Sequence, residues 1–277
     1  MVIGPAVVPR EFTVAPQHLV EYLPQLHSFL KAIGTKVAQE DKATMYEAIA
    51  FVISAMPMDQ AAQTLREFSL DILALVHAAA SKPTMAIGQE LKAAIGTNRL
   101  LNSFDLSSSC AADGLENLEV MLSVVQTFGD DLPAACRNTC QEAWLFFDPF
   151  IAKYGSDYNA CERVTRVVRF ALNFFGSAAL PVIPAVLARL SAAFEETAYA
   201  SYLWIIGKIV SRFGREEDPA LQSAFKRAFE QTSNKLVKVL QNTPPNQIPD
   251  GEKQFLAAES VLMLMSYSDG GLPSYAH

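Results

Sequence analysis

The chain has 277 residues, 51% of them hydrophobic, enough to bury a large core in one or two compact domains. Its net charge of −7 and isoelectric point near 5.2 argue against direct binding to nucleic acid, which asks for a basic surface, and fit partners that are themselves basic. Cys110, Cys136, Cys140 and Cys161 form no disulfide framework, and the N-terminus lacks the basic stretch and apolar core of a signal peptide, so a reducing intracellular compartment is expected.

Residues 1–16, with three prolines and no periodicity, read as a disordered lead. A helical pattern then runs from Gln17 to Ile33, with Pro24 as a kink and Gly34 as a stop. Asp41 reads as the N-cap of the next helix, closed by Pro57, and Asp59 as the cap of a third that ends before Pro83. A short helical piece is expected over 86–95 and another helix from Glu116 to Phe128, stopped by Gly129. Asp131 and Pro133 open the next helix, which runs through Trp144 to about Tyr154. Ser177 with Pro181, Thr197, and Asp218-Pro219 open three more, the last fading at Pro244-Pro245. No stretch alternates with a period of two, so strands are not expected. Helix pairs begin near 17, 58, 131, 178 and 219, mostly at the 40–47-residue spacing of HEAT or armadillo repeats. The expected fold is therefore an all-α solenoid of antiparallel helix pairs over 17–241, with an irregular insertion at 96–112 and an irregular tail at 242–277.

The stretch Asp157–Gly176 stands apart. At about 100° per residue, Arg166, Arg169 and Asn173 fall on one side of a helix, with Arg163 at the seam. Val164, Val167, Val168, Ala171, Leu172, Phe174 and Phe175 fall on the other, and Phe170 sits between the arginines. Like charges three or four apart weaken an isolated helix by roughly 0.2–0.5 kcal/mol per pair. Such a row makes sense if anions meet it: carboxylates or phosphates of a ligand, or acids on a neighbouring helix. A solvated face is the commoner outcome for a charge run. The charge-free run Phe170–Ala188 just reaches membrane-spanning length, but its Gly176, Pro181 and Pro184 read as a turn between two helices.

No catalytic constellation emerges. His18, His27, His77 and His277 show no paired ligand spacing, and Cys136 and Cys140, one turn apart, read as small core residues before they read as metal ligands. The phosphate-binding, dinucleotide and zinc-protease motifs are absent. No enzyme activity and no cofactor are expected.

Four blocks, in order, resemble the karyopherin-β nuclear transport receptors of the transportin-SR type. They are the segment Tyr46–Pro57, the block around Gln141–Trp144, the arginine-rich Cys161–Ala171, and Tyr202–Gly207, within a resemblance that covers about Tyr22 to Asp250. The resemblance implies an importin that carries serine/arginine-rich or other basic cargo between cytoplasm and nucleus, with Ran-GTP and nucleoporins as further partners. It also implies that Arg163, Arg166 and Arg169 line the inner face and grip the cargo's RS segment, often phosphorylated. Asn173 stands where the family tends to keep another arginine. The bidentate match of guanidinium to phosphate agrees with that role. An exporter, or a scaffold outside transport, remains open on the same architecture. Membrane contact is not expected. The family's N-terminal Ran-binding part is missing, and Gly96–Ala112 and Gly251–His277 depart from the pattern. A partial gene model with translated intron at those two places is the expectation.

Overall fold

The computed structural model describes residues 16–33, 36–81, 106–125, 132–133 and 136–242. Among them the chain is helical, with short turns and no strand. A 3-10 turn, Pro16–Tyr22, leads into α1 (Leu23–Ile33). Then come α2 (Gln39–Ser54), α3 (Met58–Ser81), α4 (Leu106–Val124), α5 (Thr139–Tyr154) and α6 (Tyr158–Phe175). A second 3-10 turn, Gly176–Val182, precedes α7 (Ile183–Thr197), α8 (Ala200–Phe213) and α9 (Pro219–Asn242).

The helices form two layers. In one, α2, α4, α6 and α8 pack each on the next; in the other, α3, α5, α7 and α9 do the same. Cross-contacts α3 to α4, α5 to α6 and α7 to α8 join the layers into pairs. The result is the expected α-solenoid, in which each helix pair buries its apolar faces against its neighbours. One continuous core runs through it, from Leu23 by way of Ile53, Leu65, Met121, Val167 and Phe194 to Phe225.

Local signals explain most boundaries. Asp157 caps α6 by accepting from Ala160 N at 2.9 Å, and Asp218 accepts from Ala220 N at 2.9 Å with Pro219 as the first residue of α9. Gly176, at φ 51°, breaks the chain between α6 and its 3-10 turn, in a backbone region that side chains rarely enter. This break splits the 40-residue helical span Tyr158–Thr197, which contains a window that length and composition alone would allow to cross a membrane; half of that window is buried within the fold. Gly155 is required for a different reason. A Cβ there would stand 2.5 Å from Ile151 O and 2.7 Å from the Tyr202 hydroxyl, which donates to Gly155 O at 2.8 Å.

Several expected boundaries shift. Helix α4 starts at Leu106, so the last part of the stretch expected to be irregular, 106–112, is helical. The helix passes straight through Gly114, where a Cβ would meet Val76 Cγ2 at 2.6 Å, so the glycine marks a close approach of α3 and not a break. Helix α5 opens at Thr139; Pro133 accepts only from Cys136 N, in a single turn before it. Helix α2 is capped by Ala38, leaving Asp41 in its first turn, and Pro24 sits in the first turn of α1, where its missing N–H costs nothing. Thr197 ends α7 and α8 opens at Ala200, with Ala198 at φ 58° between them. The lead 1–15, the expected helical piece at 86–95, the stretch 96–105 and the tail 243–277 lie outside the described residues.

Candidate functional site

Helix α6 buries the stripe that its periodicity requires. Val164, Val167, Val168, Leu172, Phe174 and Phe175 are all buried, and Thr165 satisfies its hydroxyl by donating to Cys161 O and Glu162 O. The arginines are thereby turned to the outside of the α2–α4–α6–α8 layer, but they do not share one environment. Arg163 is held by two acids of α4: Nη2 lies 3.0 Å from Glu116 Oε1, and Nη1 lies 3.5 Å from Glu119 Oε2. Arg166 reaches Glu119 Oε1 at a looser 3.7 Å, and its side chain is 48% exposed against 34% for Arg163. Arg169 lies exposed, its guanidinium 5.2 Å from the Phe170 ring centroid and 5.7 Å from that of Trp204 on α8. Asn173 accepts from Arg212 of α8 at 3.3 Å. The row is thus met by neighbouring acids at its N-terminal end and by an aromatic and a cation at its C-terminal end.

Burial dominates at Glu119. It pushes the carboxyl above its ordinary value, although Arg166 and Arg163 pull it down. Oε2 is fully buried, and Arg163 Nη1 approaches it only to 3.5 Å, longer than a well-formed charge-assisted hydrogen bond. Asp113, one turn before Glu116 and Asn117, is raised in the same way, with burial again the largest cause.

These contacts belong to a pattern. Each step of this layer carries a polar tie. Gln39 of α2 donates to Asp113 O and Asn117 Oδ1 of α4, the acids of α4 meet Arg163 and Arg166 of α6, and Asn173 of α6 meets Arg212 of α8. The other layer is laced likewise. Arg66 meets Glu142 at 2.9 Å, Arg189 meets Asp148 through two bonds at 2.7 and 3.2 Å, and Gln231 donates to Glu195 at 2.6 Å. Trp204, Lys208 and Arg212, at i, i+4 and i+8 on α8, were not singled out by sequence reasoning; that spacing was the signal available.

The remaining chemistry is sparse. Cys136, Cys140 and Cys161 are buried and form no disulfide, and burial pushes Cys140 up to about 12, where it holds its proton and is a poor metal ligand. Among the described residues no three histidines, cysteines or acids cluster to hold a metal. A small cleft between α3, α4, α5 and α6 is lined by apolar side chains such as Leu65, Leu122, Phe147 and Phe174, with Arg66 among the lining residues.

Residues 134–240, which include α5 to α8, most of α9 and hence the whole arginine row, match the family described as the transportin-3/importin-13 fourth TPR domain. This stretch is karyopherin-β-like, of the transportin type. Its pairs open at 139 and 183 and the next helix at 219, steps of 44 and 36 residues, the first within the 40–47 of HEAT units and the second close to the 34 of TPR units, which are variants of the same stacked hairpin. An uncharacterized protein of Schizosaccharomyces pombe is 25% identical over 238 residues, which is 84% of this chain and 23% of that relative. The chain therefore spans about a quarter of that relative's length.

Proposed function

We propose that this chain is a central part of a nuclear import receptor, which binds serine/arginine-rich or other basic cargo and catalyses nothing. The family match over 134–240 supports the transport reading. The observation that carries the site is the position of Arg166 and Arg169. Both are exposed on a helix that belongs to the matched domain, and both point away from the core. Forked guanidiniums spaced about one turn apart suit anionic groups on an extended peptide, since each can make two short charge-assisted bonds to a phosphate. Arg163, engaged by Glu116, acts mainly to hold α4 against α6, and Asn173 sets the end of the row. In the full-length receptor, Ran-GTP and nucleoporins complete the transport cycle between cytoplasm and nucleus.

The test is capture of a phosphorylated RS peptide by the purified chain and by Arg166→Ala with Arg169→Ala. Loss of capture with an unchanged circular dichroism melt supports the site. Equal capture removes the arginine row from the cargo contact.

A further inference from the structure

The three arginines of α6 differ in how many acids already hold them. Arg163 meets two, Glu116 at 3.0 Å and Glu119 at 3.5 Å. Arg166 meets Glu119 alone, at 3.7 Å. Arg169 forms no ion pair among the described residues and lies against aromatic rings instead. The row is therefore graded, from locked through shared to open, and Glu119 creates the middle grade. Its helix α4 is packed among α2, α3 and α6, and its side chain is 17% exposed against 48% for Arg166. The acid is thus fixed from behind, while the guanidinium it shares faces outward.

We infer that Glu119 is a specificity-determining residue: it competes for Arg166, so that a guest engages this guanidinium only by binding it more strongly than a carboxylate does. The inference rests on the cargo reading above and adds to it which guests the row rejects. A glutamate or aspartate of a guest would exchange one carboxylate for another. It gains nothing in charge, and it must also be ordered, whereas Glu119 is already in place. A phosphate carries about −1.5 to −2 charges at pH 7 and offers three acceptor oxygens. It can take the guanidinium fork through two short bonds, where the approach of Glu119 is a loose 3.7 Å. Arg166 is thus closed to merely acidic peptides and open to phosphorylated ones. Arg169, without a competing acid, takes either, and Arg163, with two, stays engaged in both cases.

The experiment measures binding of two fluorescent peptides by anisotropy, one alternating arginine with phosphoserine and one with glutamate at each phosphoserine. The proteins are the intact chain, Arg166→Ala, Glu119→Gln, these two changes together, and Glu116→Gln. With Glu119 in place, Arg166→Ala is expected to weaken the phosphopeptide severalfold and to leave the glutamate peptide unchanged. In the Glu119→Gln background it should weaken both. Glu119→Gln alone should tighten the phosphopeptide roughly two- to fivefold, the worth of a half-exposed ion pair that no longer has to be broken. Glu116→Gln removes the same charge from the same seam but no partner of Arg166, and its gain should be smaller. Equal gains in the two variants reduce the effect to nearby negative charge and overturn the inference. So does a glutamate peptide that loses affinity on Arg166→Ala while Glu119 is present. A phosphopeptide weakened by Arg166→Ala but not tightened by Glu119→Gln overturns the role of Glu119 and leaves the cargo reading standing. A phosphopeptide untouched by Arg166→Ala in both backgrounds, or not held by the intact chain, overturns both.

Discussion

Arg163 and Glu116 face each other at 3.0 Å across the seam between α6 and α4, and Glu119 stands behind them with one oxygen fully buried. Removing the cation leaves two acids, one of them largely desolvated, without their nearest counter-charge. Arg163→Ala should therefore destabilise the fold by roughly 1–3 kcal/mol, the range for stranding a buried polar partner. Arg169→Ala removes only an exposed cation–aromatic contact, on the order of 0.5–1 kcal/mol. Urea unfolding of the two variants should place Arg163→Ala clearly below Arg169→Ala, and the reverse order would mean that Arg163 is not the tie between these helices.

The raised carboxyl of Glu119 gives the stability a pH signature. Above its ordinary value the unfolded chain has already released this proton while the folded chain still holds it. Stability from this group is thus greatest in acid and is lost as pH rises from the ordinary carboxylate value to the raised folded value. Glu119→Gln abolishes the titration. Thermal melts across that interval should show the intact chain gaining on Glu119→Gln as pH falls, and a constant difference outside it.

Tyr202 and Gly155 test how tightly α8 seats on the turn before α6. Tyr202→Phe removes a buried hydrogen bond at 2.8 Å and leaves Gly155 O unpaired, for a loss of roughly 1–3 kcal/mol. Gly155→Ala should be worse, because its Cβ collides with backbone at Ile151 O as well as with the Tyr202 hydroxyl. Combining the two changes relieves only the second collision. Chemical denaturation should find Gly155→Ala with Tyr202→Phe still below Tyr202→Phe alone.

Asp157→Ala should cost about 1 kcal/mol through loss of the cap on Ala160 N. Hydrogen exchange should report it locally, as faster exchange of the first-turn amides of α6 and unchanged protection around Val167 and Val168.

Cys140 should resist alkylation. With its thiol pushed up to about 12 and its side chain buried, it holds its proton at pH 8 and reacts with iodoacetamide only on unfolding. Mass spectrometry of labelled native and urea-unfolded protein checks this. Full native labelling would mean that the packing of α5 opens readily.

What the sequence could reveal followed the range of the interactions concerned. The amphipathic split of α6, the start at Asp218-Pro219 and the stop at Gly176 are decided within one or two turns of chain, and all are found where periodicity and cap chemistry place them. The helix expected to begin at Glu116 begins at Leu106 and runs through Gly114, a glycine whose reason lies on another helix, at Val76. The partners of the arginine row were illegible for the same cause. Glu116 and Glu119 lie more than forty residues earlier, and only the stacking of α4 on α6 brings them to Arg163 and Arg166. The basic line of α8 was hidden differently: Trp204, Lys208 and Arg212 sit within a helix whose apolar residues dominate its composition.

At 3.7 Å the link between Arg166 and Glu119 is the longest of the three ion pairs across the seam between α4 and α6. Neighbouring helices slide and tilt past one another far more readily than they unwind. A slight splaying of α4 from α6 parts this link before the 3.0 Å pair of Arg163 and Glu116 and hands a guanidinium to whatever lies in front of it. The pitch of the coil and the number of charges on display are, at this point of the molecule, a single mechanical variable.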